Sequence, residues 1–236
     1  MINIVFENEH FVLCNKPSGV LSTPSRQKDD RLCLGTELQS QLGVQIFPVH
    51  RLDFEVSGLV LYAKNAEAHR VSNICFENRW VEKTYRALTT PQDFSHIPAN
   101  IVNPRQKIEL SEGQTFAWKS RILRGKKRAF ESPQGKDSLT EACYLGKTTD
   151  GFLRWDLHPV TGRSHQLRFD LSRHGFPILG DELYGSKENL SKNTIALCSF
   201  GIKFLDSAER KLKVFGLPSY FKIAVDESAW RTLRHV

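Results

Sequence analysis

The feature that most constrains the fold of this chain is the run Gly58-Leu59-Val60-Leu61-Tyr62-Ala63, bounded by Ser57-Gly58 on one side and Lys64-Asn65 on the other. A short, continuous apolar and β-prone stretch between turn signals reads as a buried strand. Directly ahead of it stands Val49-His50-Arg51-Leu52-Asp53-Phe54-Glu55-Val56, so a charged cluster sits on the loop that feeds a buried element. Loops carried by rigid strands are where binding and catalytic groups concentrate, and Asp53 has the cation of Arg51 two residues away. Taken alone, the same cluster also fits an Asp that caps a turn beside a solvated Arg.

Composition narrows the class. A chain of 236 residues that is 40% hydrophobic can bury a substantial core, as one large domain or two closely joined halves. The formal net charge of +7 suits a polyanionic partner, because every neutralised phosphate releases counterions. The first ten residues carry Glu7 and Glu9 and have no basic leader before an apolar run, and no apolar stretch is long enough to cross a bilayer. Cys14, Cys33, Cys75, Cys143 and Cys198 are scattered, odd in number and in no C-x-x-C pair, which fits reduced, mostly buried thiols. The eight histidines show no metal-ligand spacing, so no metal is expected. These features together set the expectation of a cytoplasmic protein with no membrane association.

Periodicity and punctuation give the element order. Strands are expected over Ile2 to Phe6, His10 to Cys14, Lys83 to Thr89, Thr115 to Leu123, Leu139 to Leu145, Phe152 to His158, Ile195 to Phe204 and Lys211 to Phe215. Helices are expected from Asp30 to Gln41, stopping near Gly43, and from an Asn65 cap to about Trp80. A third runs from Ser164 to His174, with Thr161 or Ser164 as cap and Gly175 as stop. Many strands with few helices and no regular βαβ alternation argue an α+β fold with a largely antiparallel mixed sheet. Arg121 to Lys136 is the most irregular segment: Arg121, Arg124, Lys126, Lys127 and Arg128 precede a Ser-Pro-Gln-Gly turn, and a solvated hairpin tip or an RNA-phosphate contact explains it equally well.

Five motifs in order resemble the RluA family of RNA pseudouridine synthases. His50-Arg51-Leu52-Asp53-Phe54-Glu55-Val56-Ser57-Gly58-Leu59 is similar to the family's H-R-L-D-x-x-T-S-G-L, and Gly162-Arg163-Ser164-His165-Gln166-Leu167-Arg168 to its G-R-T-H-Q-I-R. Asn15-Lys16-Pro17-Ser18-Gly19, Lys83-Thr84-Tyr85 and Gly175-Phe176-Pro177-Ile178-Leu179-Gly180-Asp181 resemble its N-K-P-x-G, K-x-Y and G-x-P-I-x-G-D segments. The motifs spread over most of the chain. One departure is Val56, where the family usually has Thr, so a hydroxyl hydrogen bond on the Asp53 loop must be absent or replaced.

The resemblance implies a sheet in two halves with a central catalytic cleft, and an isomerase that turns uridine in RNA into pseudouridine without a cofactor. It makes Asp53 the essential carboxylate, Tyr85 the ring against the target base and Arg163 the partner of Asp53. Arg51 would reach the RNA backbone or fill the space left by the flipped nucleotide, with His50 and Arg168 as further substrate contacts; Lys83, Arg86, Arg168 and Arg173 could line the strand's path, though for each of them an ordinary surface charge is the stronger reading. Ejecting a base costs a few kcal/mol, which favours a stem-loop uridine in ribosomal or transfer RNA. Because the N-K-P motif begins at Asn15, the expectation is a single catalytic domain over 1–236 with no accessory RNA-binding domain ahead of it, acting as a monomer. A non-catalytic RNA-binding module or chaperone is the competing class, and Asp53, Tyr85 and Arg163 together argue against it, since a pure binder has no need of an acid that repels phosphate. A glycoside hydrolase would want a second carboxylate across the scissile bond, for which Glu55 is the nearest candidate.

Overall fold

The computed structural model describes residues 2–25, 30–98, 103 and 105–232. In chain order the elements are β1 (Asn3–Glu7), β2 (Phe11–Lys16), α1 (Leu34–Leu42), β3 (Phe47–Pro48), β4 (Ser57–Ala63), α2 (Ala66–Glu77), β5 (Val81–Thr89) and β6 (Thr115–Arg124). They continue with β7 (Ala129–Glu131), β8 (Lys136–Lys147), β9 (Leu153–Pro159), α3 (Gln166–Arg173), β10 (Leu197–Phe204), α4 (Asp206–Leu212), β11 (Tyr220–Lys222) and α5 (Glu227–Thr232). The fold is α+β and its pairing is mixed but mostly antiparallel, as expected. The chain divides into two compact units, residues 1–83 with 198–224, and residues 84–197 with 225–236.

In the first unit the sheet runs β1-β2-β4-β10, with β11 on β10 and β3 on β4. The Gly58–Ala63 run is the hub. β2 pairs with it along its whole length, from Phe11 opposite Ala63 to Lys16 opposite Gly58. β10 joins in parallel only at Ser57 and Gly58, and β3 only at Tyr62 and Ala63. Gly58 has φ +111°, and a Cβ there would lie 2.1 Å from the Ser199 carbonyl oxygen, so the approach of β10 requires glycine. Leu59, Leu61, Phe11 and Leu13 are fully buried against α2 and α4 residues such as Cys75 and Leu212.

In the second unit β5, β9, β8, β6 and β7 form an antiparallel series. Its core centres on Trp155, fully buried, with ring centroids 5.0 Å from Phe176 and 5.7 Å from Trp118. The indole Nε1 donates to Thr89 Oγ1 at 3.0 Å, so the polar edge is satisfied inside the core. Removing such a side chain costs about 3–5 kcal/mol.

Several local expectations need correction. Lys211 to Phe215 is not a strand: α4 ends at Leu212 and a 3₁₀ turn covers Lys213–Phe215. Ala208 and Leu212, four apart, bury one face, the acids Asp206 and Glu209 open the helix and Gly216 in the left-handed region closes it. α1 starts at Leu34, later than Asp30, because the Leu21 N–H bonds the Leu32 carbonyl and the Leu34 N–H the Leu21 carbonyl, holding that segment extended. Gly43 ends it with φ 65°, as expected. α2 is capped by Asn65, whose side chain accepts from the Ala68 N–H, and stops at Glu77. α3 has neither expected cap. His165 stands at its N-terminus in the left-handed region, and the Thr161 hydroxyl is committed elsewhere.

Candidate active site

Asp53 lies on the loop between β3 and β4, and the residues on either side of it are pinned. Ser22 Oγ donates to the Leu52 carbonyl and accepts from the Leu52 N–H, both at 3.0 Å, while the Tyr62 hydroxyl donates to the Ser22 carbonyl at 2.8 Å. On the other side the Phe54 carbonyl accepts from the Gly19 N–H at 2.9 Å and from Lys16 Nζ at 3.3 Å. Lys16 Nζ also donates to the carbonyls of Val20 at 2.7 Å and Pro17 at 2.9 Å, so all three ammonium hydrogens bind the loops around Asp53. Lys16 is fully buried. Burial pushes its pKa down to about 8, against the raising effect of the charges on Asp53 and Glu55, and it remains a cation near neutrality. Lys16 stands in the Asn15-Lys16-Pro17 motif, whose residue types alone do not announce this task.

The Val56 departure is absorbed by the backbone. Val56 is buried, and its N–H donates to the Asp53 carbonyl at 3.2 Å, closing the turn without a hydroxyl. Arg51 is exposed. His50 is placed differently from a substrate contact: its Nε2 accepts from the Leu61 N–H at 3.1 Å and its ring stacks on Phe76 with centroids 5.2 Å apart. Burial, and then the charge of Lys83, push its pKa down to about 3, so it is a neutral internal acceptor that ties the loop to β4.

In the second unit Tyr85 lies on β5 opposite Leu157 of β9, 8% exposed. Arg163 precedes α3, and its Nε donates to the Asp137 carbonyl at 2.9 Å. Its main-chain N–H is fixed by Gln166, whose Oε1 also accepts from the Thr161 hydroxyl at 2.7 Å. Gln166 Nε2 donates to the Leu139 carbonyl at 3.0 Å and to Thr140 Oγ1 at 2.9 Å, so this 4%-exposed amide makes four hydrogen bonds and locks the Arg163 turn onto β8. The motif arginine Arg168 is also corrected. It is 2% exposed, and its Nε and Nη2 donate to the two Asp181 oxygens at 2.7 and 2.8 Å. This bidentate internal pair joins α3 to the Gly180-Asp181 segment, away from solvent. Arg86 is held by Asp156 and Glu227, and Arg173 by Glu131.

Thr140 continues the network inward, donating at 2.7 Å to Oδ2 of the fully buried Asp170. Burial pushes the Asp170 pKa up to about 7, opposed by its hydrogen bonds from Thr140 and Ser120 and by Arg173. Between an unfolded value near 3.9 and 7 the folded chain therefore keeps a proton that the unfolded chain has released. This contribution is fully present below the unfolded value and is lost as pH rises through 7, by at most roughly 4 kcal/mol. Urea unfolding at pH 5 and pH 8 should show wild type losing more stability than Asp170→Asn, whose amide bears no charge at either pH. Parallel pH dependences in the two chains would exclude a raised Asp170.

Among the described residues no group of three or more His, Cys, Asp or Glu side chains is arranged to hold a metal ion, and no helix is long and apolar enough to cross a membrane. All five cysteines are free thiols, four of them buried.

Residues 10–173 match the family described as RNA pseudouridylate synthase, and the chain belongs to that family, in the group typified by RluA. It is accordingly an RNA pseudouridine synthase, an isomerase. A dual-specificity RNA pseudouridine synthase RluA from Vibrio parahaemolyticus is 34% identical over 79% of this chain and 70% of its own length. A ribosomal large subunit pseudouridine synthase C from Rickettsia felis is 31% identical over 78% of this chain and 56% of its own length. Among solved structures, human RNA pseudouridylate synthase domain containing 1 aligns with TM-score 0.67 over 100% of this chain and 96% of its own, at 22% identity, a likeness of fold.

Proposed function

We propose that the chain isomerises stem-loop uridine in ribosomal RNA, transfer RNA or both, with Asp53 as the essential carboxylate. The observation that carries this reading is the investment around Asp53: Ser22 fixes the residue before it and the buried Lys16 the residue after it. A carboxylate on a loop held this firmly acts as a preorganised charge. The reaction breaks the C1′–N1 bond, turns the uracil, forms C1′–C5, releases the C5 proton and protonates N1, with no net redox change and no cofactor. Asp53 either bonds to C1′, stabilises positive charge there or takes a sugar proton. Tyr85 stacks on the base, whose rotation a flat ring tolerates, and its hydroxyl assists proton removal at C5.

In the same reading Arg163 is the guanidinium partner of Asp53, and the exposed Arg51 reaches the RNA backbone or the vacated stack. His50 and Arg168 act by holding their segments in place. The whole chain works as one catalytic domain, as a cytoplasmic monomer. Pseudouridine mapping in ribosomal and transfer RNA, from cells with and without the gene, tests the assignment: at least one site should vanish and return when the purified protein is added to the unmodified RNA. An identical map in both cells, with no product in vitro, would refute it.

A further inference from the structure

The second unit contains a cavity of about 730 Å³ formed by the segment around His96, β7, the turn after it and α3. This volume is within the range of sites for small organic groups. Phe130, 43% exposed on β7, Phe169 of α3 and Pro133 give it largely apolar walls. Its charge is one-sided. Glu131, the acid in the lining, is already occupied by Arg173 through two hydrogen bonds at 2.9 and 3.0 Å. The 3.4 Å contact of Arg121 with Asp137 is exposed on both sides (57% and 89%) and holds that cation weakly. Arg128 is exposed and closes the basic run that includes Arg124, Lys126 and Lys127.

His96 adds a second, independent observation. Its Nε2 lies 3.1 Å from the Ser172 carbonyl and 3.0 Å from Ser172 Oγ, and that hydroxyl already donates to the Tyr184 carbonyl. Both neighbours therefore accept, Nε2 carries a proton, and the buried Nδ1 has no hydrogen-bond partner among the described residues. His96 lines the cavity, so a polar group brought in by an occupant is the partner available to this nitrogen.

A flat apolar body, a negative charge beside it and a polar edge together describe a nucleotide. We propose that this cavity takes an unstacked nucleotide of the bound RNA other than the uridine being isomerised, its base against Phe130 and its phosphate on Arg128 and Arg121. The proposal rests on the chain's acting on RNA and is independent of which residues catalyse. It gives the Arg121 to Lys136 segment a recognition task beyond that of a charged hairpin tip.

Filter binding with bulk transfer RNA over a series of salt concentrations tests it. Phe130→Ala should weaken affinity about tenfold, the scale of one lost stacking contact, at an unchanged slope of log affinity against log salt. Phe130→Trp should restore affinity, which separates stacking from a folding defect. Arg128→Ala should weaken binding and reduce the slope by about 0.7. If Phe130→Ala stays within twofold of wild type, the cavity does not hold RNA and only the surrounding charges act. Saturable binding of adenosine monophosphate that Phe130→Ala abolishes, with transfer-RNA affinity intact, would make it a site for free nucleotides and overturn the proposal equally. Pseudouridine formation by the wild-type protein is read separately: its failure beside an intact Phe130 effect removes the enzyme assignment and not the cavity.

Discussion

Asp53→Asn should fold like the wild type, bind RNA within a few-fold of it and form pseudouridine at least about 10³-fold more slowly, the scale lost when a preorganised charge at a reacting centre is removed. An amide is nearly isosteric with the carboxylate, but it can neither bond to C1′ as an anion nor balance positive charge there. The loop is expected to survive. Its closing bond from Val56 runs to the Asp53 main-chain carbonyl, and Ser22 and Lys16 hold the main chain on either side. Glu55 continues to act on the Lys16 charge when Asp53 is neutral. Tritium release from 5-tritiated uridine in RNA, under single-turnover conditions, gives the rate. A residual rate within tenfold of wild type would remove Asp53 from the chemistry. Glu55→Gln is the matched control: the reaction needs one carboxylate, so this chain should keep its rate within a few-fold, whereas a mechanism with carboxylates on both sides of the bond would lose both variants.

Much of this arrangement was legible in the residues. The Gly58–Ala63 run had to be a strand because six apolar residues between turn signals have few other fates, and the Asn65 cap read correctly because side-chain capping is local. What stayed hidden depends on distant partners. Nothing near His50 announces that its Nε2 will accept from Leu61, and nothing near Arg168 announces Asp181, thirteen positions later. Both residues sit in motifs beside reactive ones, a position that suggests substrate contacts; burial reassigns them to support. Lys16 shows the reverse case, an unremarked lysine whose value comes from three carbonyls gathered by two loops. The Lys211–Phe215 error has a local cause: alternating Lys, Leu, Lys and Val mimics a strand, and only the upstream Ala208, four residues before Leu212, restores the helical period.

Arg163→Met should slow isomerisation by roughly 10²–10³-fold while changing RNA affinity less than about threefold. The structure uses this side chain sparingly for fold: Nε donates to the Asp137 carbonyl, and the turn itself is held by Gln166 through the Arg163 main-chain N–H, which methionine retains. The four Nη hydrogens are the part suited to a carboxylate, in the fork that lysine lacks. Arg163→Lys should therefore recover little of the rate although it restores the charge. Gln166→Leu should reproduce the lesion with the guanidinium intact, because the Arg163 N–H and the Thr161 hydroxyl lose their shared acceptor and the turn can drift on β8. Small displacements of a catalytic group are enough for losses of about 10²-fold. The measurement is the pair of single-turnover rate at saturating RNA and dissociation constant for each variant. A phosphate contact would give the opposite pattern, weaker binding with a normal saturated rate, and recovery by lysine; that outcome would move Arg163 out of the catalytic set and into the RNA-binding surface.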